Sequence, residues 1–122
     1  MIILIGIGGA LGAITRFLLG RWIAKNTQTN FPIGTWIINI TGSFLLGLLV
    51  GLHTNHVLPE AMWTLFAVGF LGSYTTFSTF SFEALTLVLS GKKKHFILYI
   101  TSSVFISIFF AWLAIVISKI FL

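Results

Sequence analysis

The chain has no cysteine, two prolines and two acidic residues in 122 positions, and only 7% of its residues are charged. Without cysteine, disulfides, thiolate metal centres and thiol redox chemistry are excluded. Soluble domains carry about 25% charged residues. A chain that is 7% charged and 57% hydrophobic cannot cover a surface facing water, so its solvent is largely lipid. Enzymatic readings also lack parts. There is no phosphate-binding Gly-Lys-Ser/Thr loop, and no histidine lies near the hydroxyl-rich stretch to serve as its base. The net charge of +5 has no soluble basic face on which to bind nucleic acid. Its lysines and arginines read instead as topology determinants and lipid headgroup contacts. The amino terminus has no basic region before its apolar run, which continues to Trp22, so a retained helix is expected rather than a signal peptide.

What is present is apolar sequence in four blocks. A spanning helix needs roughly 20 apolar residues, and the blocks predict spans over 2–24, 34–53, 61–90 and 96–121. The expected fold is a single all-α integral membrane domain of four transmembrane helices in the cell membrane. The third block is too long for one straight span, and a break near 72–76 is expected within it. Both prolines, Pro32 and Pro59, fall between blocks. Trp22, Trp36, Trp63 and Trp112 lie near predicted span ends, as interfacial anchors do.

Polar and small residues recur every four positions, which places them on one helix face. The first block carries Gly8, Gly12, Arg16 and Gly20. Its glycines suit close helix approach, and Arg16 either has a functional partner or snorkels to the interface. The second carries Thr35, Asn39, Ser43, Gly47 and Gly51. Asn39 sits near mid-membrane and needs a partner. That partner is either another helix or a passing anion. The last block carries Tyr99, Ser103 and Ser107. His53, His56 and Glu60 surround the second loop and read as interfacial residues rather than a metal site, since a third convincing ligand is missing.

The densest feature is the stretch from Gly69 to Glu83, where seven hydroxyl side chains, two glycines and a carboxylate interrupt an apolar segment. Irregular backbone at membrane depth persists only when buried in protein or lining a cavity, and it frees carbonyls to hold a cation. The side chains around it are rich in donors and poor in acceptors. Phenyl rings add electropositive edges. That inventory suits a small anion, which needs its water shell replaced.

Four spans put both termini on one side. The first and third loops carry Arg21, Lys25, Lys92, Lys93 and Lys94, against Lys119 on the other side. The bias predicts a fixed orientation with both termini outside the cytoplasm.

Three motifs give the chain a family likeness. They are Gly8-Gly9-x-x-Gly12-Ala13-x-x-Arg16-Phe17, Pro32-x-Gly34-Thr35-x-x-x-Asn39-x-x-Gly42-Ser43-Phe44, and Gly69-Phe70-x-Gly72-x-x-Thr75-Thr76-Phe77-Ser78-Thr79-Phe80-Ser81-x-Glu83. In these the chain resembles the Fluc, or CrcB, fluoride channels. The resemblance implies an antiparallel dimer with two fluoride pores between subunits and passive fluoride export that relieves toxicity. It implies a structural, untransported Na+ held at the dimer centre by the backbone carbonyls of Gly72 and Thr75. It assigns Asn39, Phe77, Ser78, Thr79, Phe80, Tyr99, Ser103 and Ser107 to the fluoride pathway, and Arg16 and Glu83 to a pore-mouth or regulatory position. Ser73 departs from the family pattern, where many relatives have glycine, and puts a side chain beside the expected cation site. The charge bias adds a second expectation for the partner: either a second copy or an oppositely oriented paralogue. Competing readings are a small proton-coupled exporter of cations or drugs, which would need Glu83, and a poreless structural subunit.

Overall fold

A computed structural model describes residues 1–29 and 31–121; Asn30, in the first loop, lies outside them. The described residues with regular structure are helical throughout. Helix α1 spans Ile2–Asn26 and α2 spans Ile33–Thr54. Helix α3 is a continuous run of three conformations: an α-helical turn at Glu60–Trp63, a π-helical stretch at Thr64–Leu71 and a last α-helical turn at Gly72–Tyr74. Helix α4 spans Ser78–Leu89 and α5 spans Lys93–Phe121. Among the described residues, α1, α2 and α5 are long and apolar enough to cross a membrane.

Local sequence accounts for the helix ends. Pro32, with φ −76°, precedes the first turn of α2, where a missing N–H costs nothing. After α4, Gly91 takes φ +77°. The Lys92 N–H then returns to the Leu87 carbonyl at 2.9 Å and the Gly91 N–H to Val88 at 3.1 Å, the pairing of a Schellman cap. Helix α2 ends in the same way with His56 at φ +59°. His53 Nε2 meets Glu60 Oε2 at 3.0 Å and its ring stacks on Trp63 with centroids 4.3 Å apart. Among the described residues no group of three potential ligands gathers to hold a metal.

The small-residue stripes do the packing. Gly8 and Gly12 of α1 are buried against the π-helical stretch of α3. A methyl group on Gly12 would overlap the Phe70 carbonyl oxygen and Ser73 Oγ, so glycine lets α1 approach the backbone of α3. Gly47 and Gly51 of α2 likewise lie against Ala111, Ala114 and Ser118 of α5. Small residues are what lets helices associate without a hydrophobic driving force between them. The outer faces carry large exposed apolar side chains, among them Ile7, Phe17, Leu85 and Phe105, suited to lipid contact.

Candidate functional site

The site is built where α3 gives way to α4. Thr75 is extended, with φ −78° and ψ 156°, and the helical ladder stops there. Continuation of the helix would send the Thr76 N–H to the Gly72 carbonyl. It donates instead to Asn39 Oδ1 at 3.0 Å, and Asn39 Nδ2 donates back to the Thr76 carbonyl at 3.0 Å. One amide from α2 thereby satisfies both main-chain groups of Thr76, which a break inside a membrane protein requires. One turn on, the Thr79 N–H donates to Thr76 Oγ1 at 3.2 Å, in the manner of a helix N-cap.

These two diversions have a common result. The N–H groups four residues beyond Gly72 and Thr75 are engaged elsewhere, so both carbonyls are freed from the helical ladder. The Gly72 side of the break is also open, with no atom within 4 Å of where a Cβ would stand. Two freed carbonyl oxygens are hard, neutral ligands of the kind an alkali cation takes. The donor set therefore fits such an ion.

The other flank of the break is tightly held. Tyr74 is buried, and its hydroxyl lies 2.9 Å from Thr41 Oγ1. Ser73 does not intrude on the open side. Its Oγ donates to the Gly9 carbonyl of α1 at 2.6 Å, so this side chain ties α3 to α1.

Three cavities converge on Thr76, which lines all of them. The largest, about 580 Å³, is a vestibule between the end of α1, the start of α2 and α4; Arg16, Arg21, Thr35 and Glu83 line it. Thr35 Oγ1 donates to Glu83 Oε1 at 2.5 Å. A second, about 320 Å³, lies between Asn39, Ser43, Gly72, Thr75 and Phe77. The third, about 270 Å³, is a groove walled by Phe77 and Phe80 on one side and by Ser103 and Ser107 on the other, with Asn39 and Thr76 at its head.

The structure thus brings Asn39, Phe77, Phe80, Ser103 and Ser107 to one groove, and Arg16 and Glu83 to one vestibule. Thr79 lines the vestibule rather than the groove. Ser78 lines none of the three cavities and sits 3.3 Å from Thr76 Oγ1. Tyr99 is completely enclosed, its ring 5.0 Å from that of Phe80. Among the described residues Ser103 Oγ is buried without a hydrogen-bond partner, and the Tyr99 hydroxyl, near Thr35 and Glu83, makes no hydrogen bond of good geometry. Thr76 belongs to the third sequence motif but is given no role among the expected site residues. Its signal is positional: a threonine three residues before Thr79, where a cap belongs.

Apolar helices packed on glycine stripes, one interrupted at mid-length by backbone held in side-chain hydrogen bonds, define a multi-pass helical membrane protein. A family profile described as CrcB-like protein, Camphor Resistance (CrcB), matches residues 3–115. The chain belongs to the CrcB family. It is 49% identical over 105 residues to a protein of Clostridium acetobutylicum named fluoride-specific ion channel FluC 2, covering 86% of each chain. It is 41% identical over 116 residues to the fluoride-specific ion channel FluC of Acidobacterium capsulatum, covering 94% of this chain and 93% of that one. The protein of the same name from Campylobacter jejuni is 40% identical over 118 residues, 97% of each chain.

Proposed function

We propose that this chain is a subunit of a fluoride-specific ion channel that lets fluoride leave the cytoplasm passively and so reduces its toxicity. One observation carries the reading: a hydrogen-bond donor on the groove, Ser103 Oγ, is buried with no partner among the described residues. A buried unpartnered polar group costs about 1–3 kcal/mol. Ser103 faces a groove flanked by Phe77 and Phe80, and Tyr99 lies one turn before it on the same face. The Asn39 amide spends one N–H on Thr76 and keeps a second. Donors and phenyl rings in a groove with no carboxylate in its lining favour a small, strongly accepting anion. The relatives bearing the fluoride-channel name match along nearly their whole length.

On this reading α1, α2 and α5 each cross the cell membrane, and α3 and α4 together make a fourth, broken crossing. The groove is open along one side, where Phe77 stays 70% exposed, and an antiparallel partner closes it. A structural Na+ at the dimer axis would be held by the Gly72 and Thr75 carbonyls, two from each subunit. It would supply positive potential near the anion path. The partner is a second copy or an oppositely oriented paralogue, and the five-to-one charge bias supports a fixed orientation with both termini outside.

The test is efflux from liposomes loaded with fluoride or chloride and containing the purified protein, with and without a collapsed proton gradient. Rapid fluoride efflux, negligible chloride efflux and indifference to the gradient are expected. Efflux that requires the gradient would instead support a proton-coupled exporter. Failure of the purified chain to pass fluoride, with activity gained only on adding a paralogue, would support the heterodimer.

A further inference from the structure

Phe31 precedes Pro32, and a residue before proline is confined to extended backbone, which limits where its ring can lie. The same ring stands one position before the cap of α2, while Trp36 is the fourth residue of that helix. Residues at those two positions form a hydrophobic staple, which sets the angle at which the chain enters a helix. Their rings meet edge to face, with centroids 6.2 Å apart. Trp36 is in turn anchored across the bundle, its Nε1 donating to Ser102 Oγ of α5 at 2.9 Å.

The staple does more than start a helix. Phe31 also packs perpendicular to Tyr99, with centroids 5.4 Å apart and an interplanar angle of 89°. On its other side the Tyr99 ring meets Phe80 at 5.0 Å, and Phe80 meets Phe77 at 6.0 Å. Phe31 also lines the vestibule. An unbroken series of ring contacts therefore leads from a residue on the vestibule wall to the groove.

Tyr99 is fully enclosed, and the rings of Phe31 and Phe80 both pack against it. We infer that Phe31 is a positioning residue, which acts through the Tyr99 ring to set the place of Phe80 on the groove wall. This rests on the channel reading, and it extends the set of residues that govern permeation to a loop outside the spans.

Two measurements test it. The first is fluoride efflux from liposomes containing wild-type protein, Phe31→Leu, Phe31→Trp, Tyr99→Leu or the Phe31→Leu/Tyr99→Leu double variant. Leucine keeps an apolar contact for Trp36 but removes the flat edge against Tyr99. An aromatic pair accounts for a rate change on the order of threefold to tenfold, and Phe31→Leu is expected to slow fluoride efflux by that factor. Phe31→Trp keeps an aromatic edge, with room in the adjoining vestibule, and is expected to stay within about twofold of wild type. In the Tyr99→Leu background, Phe31→Leu is expected to cost nothing further. An equal loss in both backgrounds overturns the inference.

The second measurement does not depend on flux. The chain has two tyrosines, so protein labelled with 3-fluorotyrosine gives two fluorine resonances, assigned with Tyr99→Phe. Phe31→Leu should shift or broaden the Tyr99 line and leave the Tyr74 line in place, and Phe31→Trp should restore it. A Tyr99 line unmoved by Phe31→Leu overturns the positioning role even where efflux falls. Wild-type protein that passes no fluoride either alone or with an added paralogue overturns the channel reading instead, and the fluorine spectra then decide the positioning role alone.

Discussion

Replacing Asn39 with alanine tests the centre of the site. The side chain holds the Thr76 N–H and carbonyl in two hydrogen bonds of 3.0 Å each. With both removed, the break has two outcomes. If it keeps its shape, two main-chain groups lose their partners at about 1–3 kcal/mol each, a total of about 2–6 kcal/mol. If instead it heals, the Thr76 N–H returns to the Gly72 carbonyl and that oxygen is no longer free for a cation. Either way the conducting arrangement becomes the less populated one. Even 2 kcal/mol corresponds to about 30-fold, so efflux of fluoride from Asn39→Ala liposomes should fall by at least about that factor. Thermal unfolding in detergent, followed by size-exclusion chromatography, should separate the two outcomes: a lowered midpoint if the break persists unsatisfied, and a near-normal one if it heals. Efflux within about threefold of wild type would refute the reasoning, because it would mean that the Asn39–Thr76 pair does not hold the path open.

Other outcomes follow from the same geometry. Phe77→Leu and Phe80→Leu keep apolar bulk but remove the ring edges that face the groove; each should slow fluoride efflux by about tenfold or more, whereas a subunit whose polar stripes only hold helices together would be indifferent in the same flux assay. Exhaustive removal of Na+ in favour of a large organic cation should lower fluoride efflux, and returning Na+ should restore it without Na+ itself crossing, as measured with a radioactive tracer. Tags at both termini should react with impermeant reagents from outside intact cells only; equal labelling from both sides would sink the fixed orientation.

Much of this arrangement is legible in the sequence because its cause is local. Hydropathy marks the long helices, and the small residues at four-residue spacing become packing faces at Gly8, Gly12, Gly47 and Gly51. The polar stretch from Gly69 to Glu83 does contain the interruption, at Thr75. What the sequence does not show is pairing between distant positions. Asn39 reads as a donor in need of a partner, yet its partner is the main chain of Thr76, 37 residues away. Ser73 reads as an intrusion beside the cation site, because only the packed bundle reveals the Gly9 carbonyl within its reach. Thr79 alternates with the phenylalanines in sequence, but α4 turns it toward the vestibule while Phe77 and Phe80 face the groove. The pairing of Phe31 with Trp36 was available from staple spacing alone, and its second contact, with Tyr99, was not.

The way Thr76 is held bears on how the protein is made. Both of its main-chain groups are satisfied by a side chain from another helix, so the interruption is a product of docking and not a property of the stretch itself. Before α2 is in place, the lowest-energy course for residues 60–89 in lipid is a single uninterrupted helix, about 45 Å long at 1.5 Å per residue. That is longer than the roughly 30 Å hydrocarbon layer, so the newly inserted segment must tilt. Closing Asn39 onto Thr76 interrupts that helix and frees the Gly72 carbonyl, and the Thr75 carbonyl is freed when Thr76 Oγ1 takes the Thr79 N–H. On the proposed reading the cation site would be completed only as α2 docks, and an Asn39 variant that heals the break would be inserted, helical and of full length with the Gly72 carbonyl still engaged.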